Sequence, residues 1–236
     1  MVTDPKKLEA VACTPVAIKA KDFNSSAVIP YGVTVEHIRL AMSEFIDFLG
    51  FINTQLHTRD IPRLEVMLMQ ANFSSMVGEF MSAAIPKYCL TIVKNQYHNG
   101  HPDLVPAGHY PQNSILHGSE GIEIKGSRYV RGWQGHNAED VWLLVFTFDS
   151  STPRDEAKGI PPKPFRFRLV AGAAIEKSDW TFSGRTGESR RTITASVNRS
   201  GYDKMLANWI YKEPTVTTAT LLASPAEKDA EPPVSE

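Results

Sequence analysis

Cysteine is scarce: Cys13 and Cys89 are the only two in 236 residues, and they show no metal-type spacing. That argues against a disulfide framework and fits a reduced, cytoplasmic setting. No segment reaches the ~18 consecutive apolar residues of a membrane span, so no membrane association is expected. Met1 to Asp22 carries no long apolar run followed by a cleavage-like site, so no signal peptide is read there. A phosphate-cradling Gly-rich loop of P-loop or Rossmann spacing is missing, and so is a Gly-x-Ser-x-Gly nucleophile elbow. Both absences count against the common small-molecule enzymes. An excess of either charge is also lacking, since 25 basic against 26 acidic residues leave −1. Indiscriminate nucleic-acid binding is disfavoured by that balance, but positive charge concentrated on one face is not excluded.

What is present is globular: 42% hydrophobic, 22% charged, four Trp and eleven Phe. The length suits a single domain over 1–213, with a Thr/Ala/Pro/Glu-rich tail (214–236) lacking any period and expected to be disordered. Residues 1–30 show no clear period and read as an irregular arm. A helical part follows over about 30–90. Thr34 caps a helix from Val35 to Leu49, with Ile38, Ala41, Met42, Phe45 and Leu49 at helical spacing and Gly50 as the stop. A second helix runs from Pro62 towards Ala84, ended by Pro86. Strand patterns occupy about 100–150. Ile122 to Lys125 alternates apolar with charged, and Val141 to Phe148 is nearly continuous, as at the centre of a sheet covered on both faces.

The informative stretch is Asn99 to Asn137. It holds Pro102-Asp103, then Glu123-Ile124-Lys125. Glu123 and Lys125, two apart on a strand, project from one face. A carboxylate beside an ammonium can help hold a hard divalent cation, but a second carboxylate must join it, and Asp103 is the natural supplier. An acid two before a lysine occurs also at Asp4-Pro5-Lys6 and Glu156-Ala157-Lys158. Only the middle instance has a strand pattern, an upstream Pro-Asp and a downstream apolar strand.

This arrangement resembles the catalytic core of the PD-(D/E)xK nucleases, the restriction-endonuclease-like superfamily. The resemblance covers about thirty residues directly and points to a superfamily rather than to one enzyme. It implies an α/β (α+β) fold, a mixed central β-sheet flanked by helices with an N-terminal helical part. It also implies Mg²⁺-dependent hydrolysis of double-stranded DNA, with Mn²⁺ as a substitute, and often a homodimer. A chain of this kind looks most like a type II restriction endonuclease. Asp103, Glu123 and the Ile124 carbonyl would hold the cation, and Lys125 would orient or deprotonate the attacking water. A helix before the catalytic strands often supplies a further acid in that family, for which Glu79 is the candidate.

Between Lys163 and Lys204 nine basic residues face four acidic ones, six of the nine being arginine. Arginine suits phosphate forks and guanine edges, so this segment is read as the DNA surface, with Arg166, Arg168, Arg185, Arg190 and Arg191 as contacts. Ser127, Arg128, Gln134, His136 and Asn137, in the glycine-rich run after the strand, are candidates for phosphate or base contacts. Five of seven histidines fall between 98 and 136. They suggest a rival, a His-Asn-His metal nuclease using His98, Asn99, His101 and His136. A second rival is a non-enzymatic DNA-binding or regulatory protein using the same basic segment.

Overall fold

In a computed structural model of the chain, residues 4–135, 137–183, 194–217 and 221 are described. The helices are α1 (Pro5–Ala12), α2 (Val35–His57), α3 (Leu64–Met67), α4 (Gln70–Tyr88) and α5 (Arg199–Ala207). The strands are β1 (Ile92–Lys94), β2 (Leu104–Pro106), β3 (Ile122–Ser127), β4 (Gln134–Gly135), β5 (Val141–Asp149), β6 (Arg166–Ile175), β7 (Trp180–Ser183), β8 (Thr194–Val197) and β9 (Trp209–Lys212). The fold is therefore α+β. Six strands form a mixed sheet in the order β1-β2-β3-β5-β6-β9, in which β3 and β5 are parallel and the other pairs antiparallel. A small sheet, β4-β8-β7, stands apart from it.

Two apolar layers follow from the alternation of side chains along the strands. Ile122, Ile124, Leu144, Phe146 and Phe148 pack under α2 and α4 with Phe45, Phe73, Val77 and Met81. Leu143 and Val145 face the other way, onto Trp133, Val197, Tyr202 and Met205. Strand β5 is buried on both sides, which is why its sequence is almost unbroken apolar. Each large ring removed from water here contributes about 1.5–3 kcal/mol.

The helices differ from the expected bounds in instructive ways. Thr34 does cap α2: its hydroxyl accepts from the His37 amide, and His37 Nδ1 accepts from the Thr34 amide, both at 3.2 Å. The expected stripe is fully buried. Yet α2 runs on through Gly50 to His57, because this glycine serves close packing; a Cβ there would lie 3.1 Å from Pro15 Cδ. The second expected helix is two helices, α3 and α4, and Pro86 falls within the last turn of α4. The N-terminal arm contains α1. The sequence from Ser200-Gly201 also predicts a final helix, to Tyr211; it ends at Ala207, after which β9 begins, and Asn208 holds that junction, donating to Gly172 O (2.6 Å) and Val28 O (2.8 Å).

Arg63 ties remote parts together. Its guanidinium meets Glu9 (2.7 Å), Glu65 (2.5 Å), Ser151 Oγ (3.1 Å) and the Lys163 carbonyl (3.1 Å), and Glu65 takes a further bond from Asn53 (2.9 Å). Ser151 Oγ also accepts from the Lys163 amide (3.1 Å). The segment from Ser151 to Pro164 (STPRDEAKGIPPKP) is rich in breakers, which predicts an exposed, mobile loop; these bonds pin it near both ends. The tail begins with packed residues: the Glu213 amide bonds Arg168 O (2.9 Å) and Val216 is buried. Most of 218–236 lies outside the described residues.

Candidate active site

The site forms where β2 and β3 meet. Only Leu104 and Ile122 are in register between them. Beyond that point the Asp103 carboxylate takes the place of a ladder acceptor, its Oδ2 receiving the Ile124 amide at 2.7 Å. Leu104, Ile122 and Ile124 belong to the layer under α2 and α4. By alternation Asp103, Glu123 and Lys125 point from the opposite face. The Ile124 carbonyl leaves β3 on the edge that carries its amide, the Asp103 edge.

The approach to Asp103 is built around Asn95. Its buried side chain donates to Pro102 O (3.0 Å) and Ile115 O (2.8 Å) and accepts from the Tyr97 and Ile115 amides (3.0 and 3.1 Å). His101 is clamped by its backbone, its amide to Leu116 O (2.9 Å) and its carbonyl from Gly118 (2.7 Å). That fixes its ring between two carboxylates. Nδ1 lies 2.9 Å from Glu123 Oε2, and Nε2 lies 2.5 Å from Glu139 Oε2. Lys125 Nζ donates to the other Glu123 oxygen, Oε1.

The electrostatics follow from burial and these partners. Burial, then the neighbouring Glu123 charge, pushes Asp103 up to about 7, against the pull of the Ile124 amide and Lys125. Burial also opposes the Glu123 charge, but the His101 bond and the Lys125 ammonium outweigh it and hold Glu123 down at about 2. Lys125 and His101 both lose by desolvation, yet each is carried above its usual range, mainly by Glu123. With a carboxylate near each ring nitrogen, the neighbours of His101 favour its charged form. Lys125 is an ammonium, suited to stabilising negative charge rather than to taking a proton.

Two carboxylates beside a strand-edge carbonyl are the hard-oxygen set a small divalent cation accepts when water fills its other positions. Burial first, and then Glu123, disfavour the Asp103 charge, a penalty that a cation bound there would relieve. Among the described residues no group of three or more His, Cys, Asp or Glu side chains surrounds a common point. The oxygens that β3 and the residue before β2 offer are those of Asp103, Glu123 and the Ile124 carbonyl. Glu79 stands off: it is exposed on α4 and its carboxylate pairs with Lys94 at 2.6 Å, although its charge contributes to raising Asp103. Gly78 beside it faces the β3 edge, where a Cβ would sit in ordinary contact 3.7 Å from Ile124 O.

The expected DNA contacts are arranged differently from the sequence reading. Arg128 turns inward and gives its guanidinium to Ser150 O (2.9 Å), Ser150 Oγ (2.7 Å) and Ser151 O (2.9 Å), over the Phe148 ring. Arg168 lies 3.0 Å and Arg166 3.5 Å from Glu213. Lys163 pairs with Asp149 (2.6 Å), Arg199 with Asp203 (2.8 Å) and Lys204 with Asp179 (2.6 Å). Each of these five cations thus meets an acid, with Arg166 and Arg168 sharing the one carboxylate of Glu213. Phe165 to Val170 alternates apolar with arginine, which predicts a regular strand; instead Thr147 pairs with Leu169 and Phe148 with Phe167, leaving Arg168 in a bulge. Ser127 Oγ bonds the Tyr129 backbone (3.1 Å), while Gln134 and Asn137 are exposed. His136, Arg185, Arg190 and Arg191 lie outside the described residues.

His101 and Glu139 are the site members that the nuclease reading of the sequence lacks. His101 adjoins Pro102-Asp103 and appears there only as a member of the histidine cluster. Glu139 has no local signature; it arrives through the β3–β5 connection, held where its carbonyl accepts Trp180 Nε1 (2.9 Å). His98 and Asn99 are exposed. No family model, no curated protein and no solved structure matches this chain.

Proposed function

We propose that the chain is a Mg²⁺-dependent phosphodiesterase of the PD-(D/E)xK type acting on double-stranded DNA. The observation that carries the reading is the meeting of Asp103 and Glu123 from adjacent antiparallel strands, with Lys125 on the Glu123 carboxylate and Asp103 on the Ile124 amide. The proposal extends to the finer assignments: a restriction-endonuclease-like core, a type II restriction endonuclease, a homodimer able to cut both strands, Mn²⁺ as substitute ion and a cytoplasmic setting.

Bound at Asp103, Glu123 and the Ile124 carbonyl, the cation would supply a more acidic water and neutralise charge on the phosphate. The chain's own groups do the rest. Asp103, raised by burial and by Glu123, would release any proton it holds to solvent when a cation is bound. Lys125, an ammonium by virtue of its neighbours, holds the attacking water and meets the charge developing on the phosphate oxygens. His101 fixes the Glu123 carboxylate by one oxygen and is itself fixed by Glu139. Both ring nitrogens of His101 face carboxylates, 2.9 Å from Glu123 and 2.5 Å from Glu139, which weighs against a free base there and so against the histidine-nuclease alternative.

The test is incubation of purified protein with plasmid and Mg²⁺, with Asp103→Ala and Lys125→Ala alongside. Discrete cleavage by the wild type is expected, lost by at least about 100-fold in either variant while DNA binding persists. Retained cutting by Lys125→Ala, with His101→Ala or His136→Ala inactive, would transfer the assignment to the histidine class. Steeply salt-dependent binding without any Mg²⁺-dependent nicking would leave a DNA-binding regulator.

A further inference from the structure

We propose that a second pocket, at the carboxyl ends of β3 and β5, binds a phosphate group of the nucleic acid. The cavity is about 180 Å³ and lies between these strand ends, the start of α4 and the 151–163 segment. Four cations line it: Arg128, Arg154, Lys158 and Lys163. The two acids in its wall are already engaged. Asp149 accepts from Lys163 Nζ at 2.6 Å, and Asp155 caps the Thr152 amide and hydroxyl, both at 2.8 Å. No side-chain acceptor among the described residues meets the Arg154 guanidinium or the Lys158 ammonium. Arg128 bonds only carbonyls and a hydroxyl, so no carboxylate touches its charge, and its Nε is buried without a partner.

The cavity thus has two more cations than acids, with donors on three sides. Gln70, the first residue of α4, closes one wall; that helix has no acid in its first turn and no side-chain acceptor at its cap, so its positive end adds to the field. Guanidinium forks and ammonium groups converging on a space of this size suit a compact oxyanion, phosphate above all. The pocket walls are stiff, because Arg63 holds Ser151 and the Lys163 carbonyl. Arg128 follows Lys125 by three residues, so the pocket lies at the end of the strand that carries Lys125, on the α4 side of the sheet. The identity of the ligand as a nucleic-acid phosphate rests on the nuclease reading above; the binding of a phosphate group as such does not.

The experiment uses the full chain without divalent metal. Calorimetric titration with orthophosphate is compared between wild type and Arg154→Ala/Lys158→Ala, two exposed side chains, with melting temperature as the folding control. Saturable binding, weakened about tenfold or more in the variant, is expected. No binding, or equal affinity in the two proteins, overturns the pocket. In a Lys125→Ala background, which leaves DNA uncut, the same pair of changes is then tested on short duplexes bearing a 5′-phosphate or a 5′-hydroxyl. A loss confined to the 5′-phosphate duplex identifies a terminal phosphate, and an equal loss on both identifies a backbone phosphate. No loss on either overturns the nucleic-acid assignment. Phosphate binding that survives alongside failed plasmid cleavage would overturn the nuclease reading and leave the pocket standing.

Discussion

Asp103 Oδ2 accepts the Ile124 amide at 2.7 Å, at the point where β2 has left the ladder with β3. One carboxylate thereby does two jobs: it satisfies a donor on a buried strand edge, and it stands beside Glu123 with its second oxygen free of that amide. The cost of placing two acids together is visible in Asp103, pushed up to about 7 by burial and by Glu123.

That shift predicts a pH-dependent stability. Asp103 keeps its proton in the folded state up to about 7, whereas the unfolded chain releases it near 3.8. The folded state binds more protons across this window, so the contribution is full at low pH and is lost as pH rises from about 4 to about 7. Asp103→Asn should therefore melt higher than wild type at pH 8 in a chelator, with the gap closing towards pH 4. Adding Mg²⁺ should raise the melting temperature of wild type but not of the variant. A wild type more stable than Asp103→Asn at pH 8 without metal would contradict the assignment.

Glu139 is a positioning residue acting through His101. Glu139→Gln should lower both Mg²⁺ affinity and cleavage by about 10-fold, within the range seen for groups that orient a ligand through a neighbour. Glu123→Gln should cost more on both measures. Calorimetric Mg²⁺ titration separates the two roles; unchanged affinity in Glu139→Gln would make its contact with His101 structural only.

Arg63 is 1% exposed and Glu65 fully buried. Removing the guanidinium strands buried acid, so Arg63→Leu should destabilise by about 3–5 kcal/mol, read from urea unfolding. Arg63→Met combined with Glu65→Leu should recover part of that loss, because no buried charge is then left unpaired. Because the same guanidinium holds the 151–163 segment, phosphate binding should weaken in Arg63→Leu at temperatures where it stays folded.

Gly126 is where α4 crosses β3. A Cβ there would collide with the Ser74 carbonyl oxygen and come within 3.1 Å of Val77 Cβ. Gly126→Ala should cost about 1–3 kcal/mol, as overpacking does. By moving β3 against α4 it should also reduce Mg²⁺ affinity. An alanine variant as stable as wild type would show that the helix can shift freely there.

Much of the molecule is legible in the chain alone. The α2 stripe, its Thr34 cap, the alternation at 122–125 and the apolar run of β5 are local signals, since side-chain period and cap chemistry act over a few residues. The pairing of Asp103 with Glu123 follows from spacing, because two short strands joined by a loop bring such positions side by side. The surface cannot be read in the same way. Arg166 and Arg168 look basic in sequence, and Glu213, more than forty positions on, meets them only because β9 lies beside β6. Gly50 and Asn208 escape a local reading for a similar reason: each answers to a partner, Pro15 or Gly172, that no short window contains.

By itself, then, the sequence determined the core-facing stripes, the Thr34 cap and the alternation that sets Glu123 and Lys125 on one face of a strand. Tertiary structure alone decided which charges stay free. It brought Glu139 and His101 onto Glu123, paired the arginines of β6 with Glu213, and left Arg154 and Lys158 without acids at the ends of β3 and β5. The physical reason is range: periodicity is a property of neighbours along the chain, whereas charge balance depends on whichever groups the fold sets within a few ångströms.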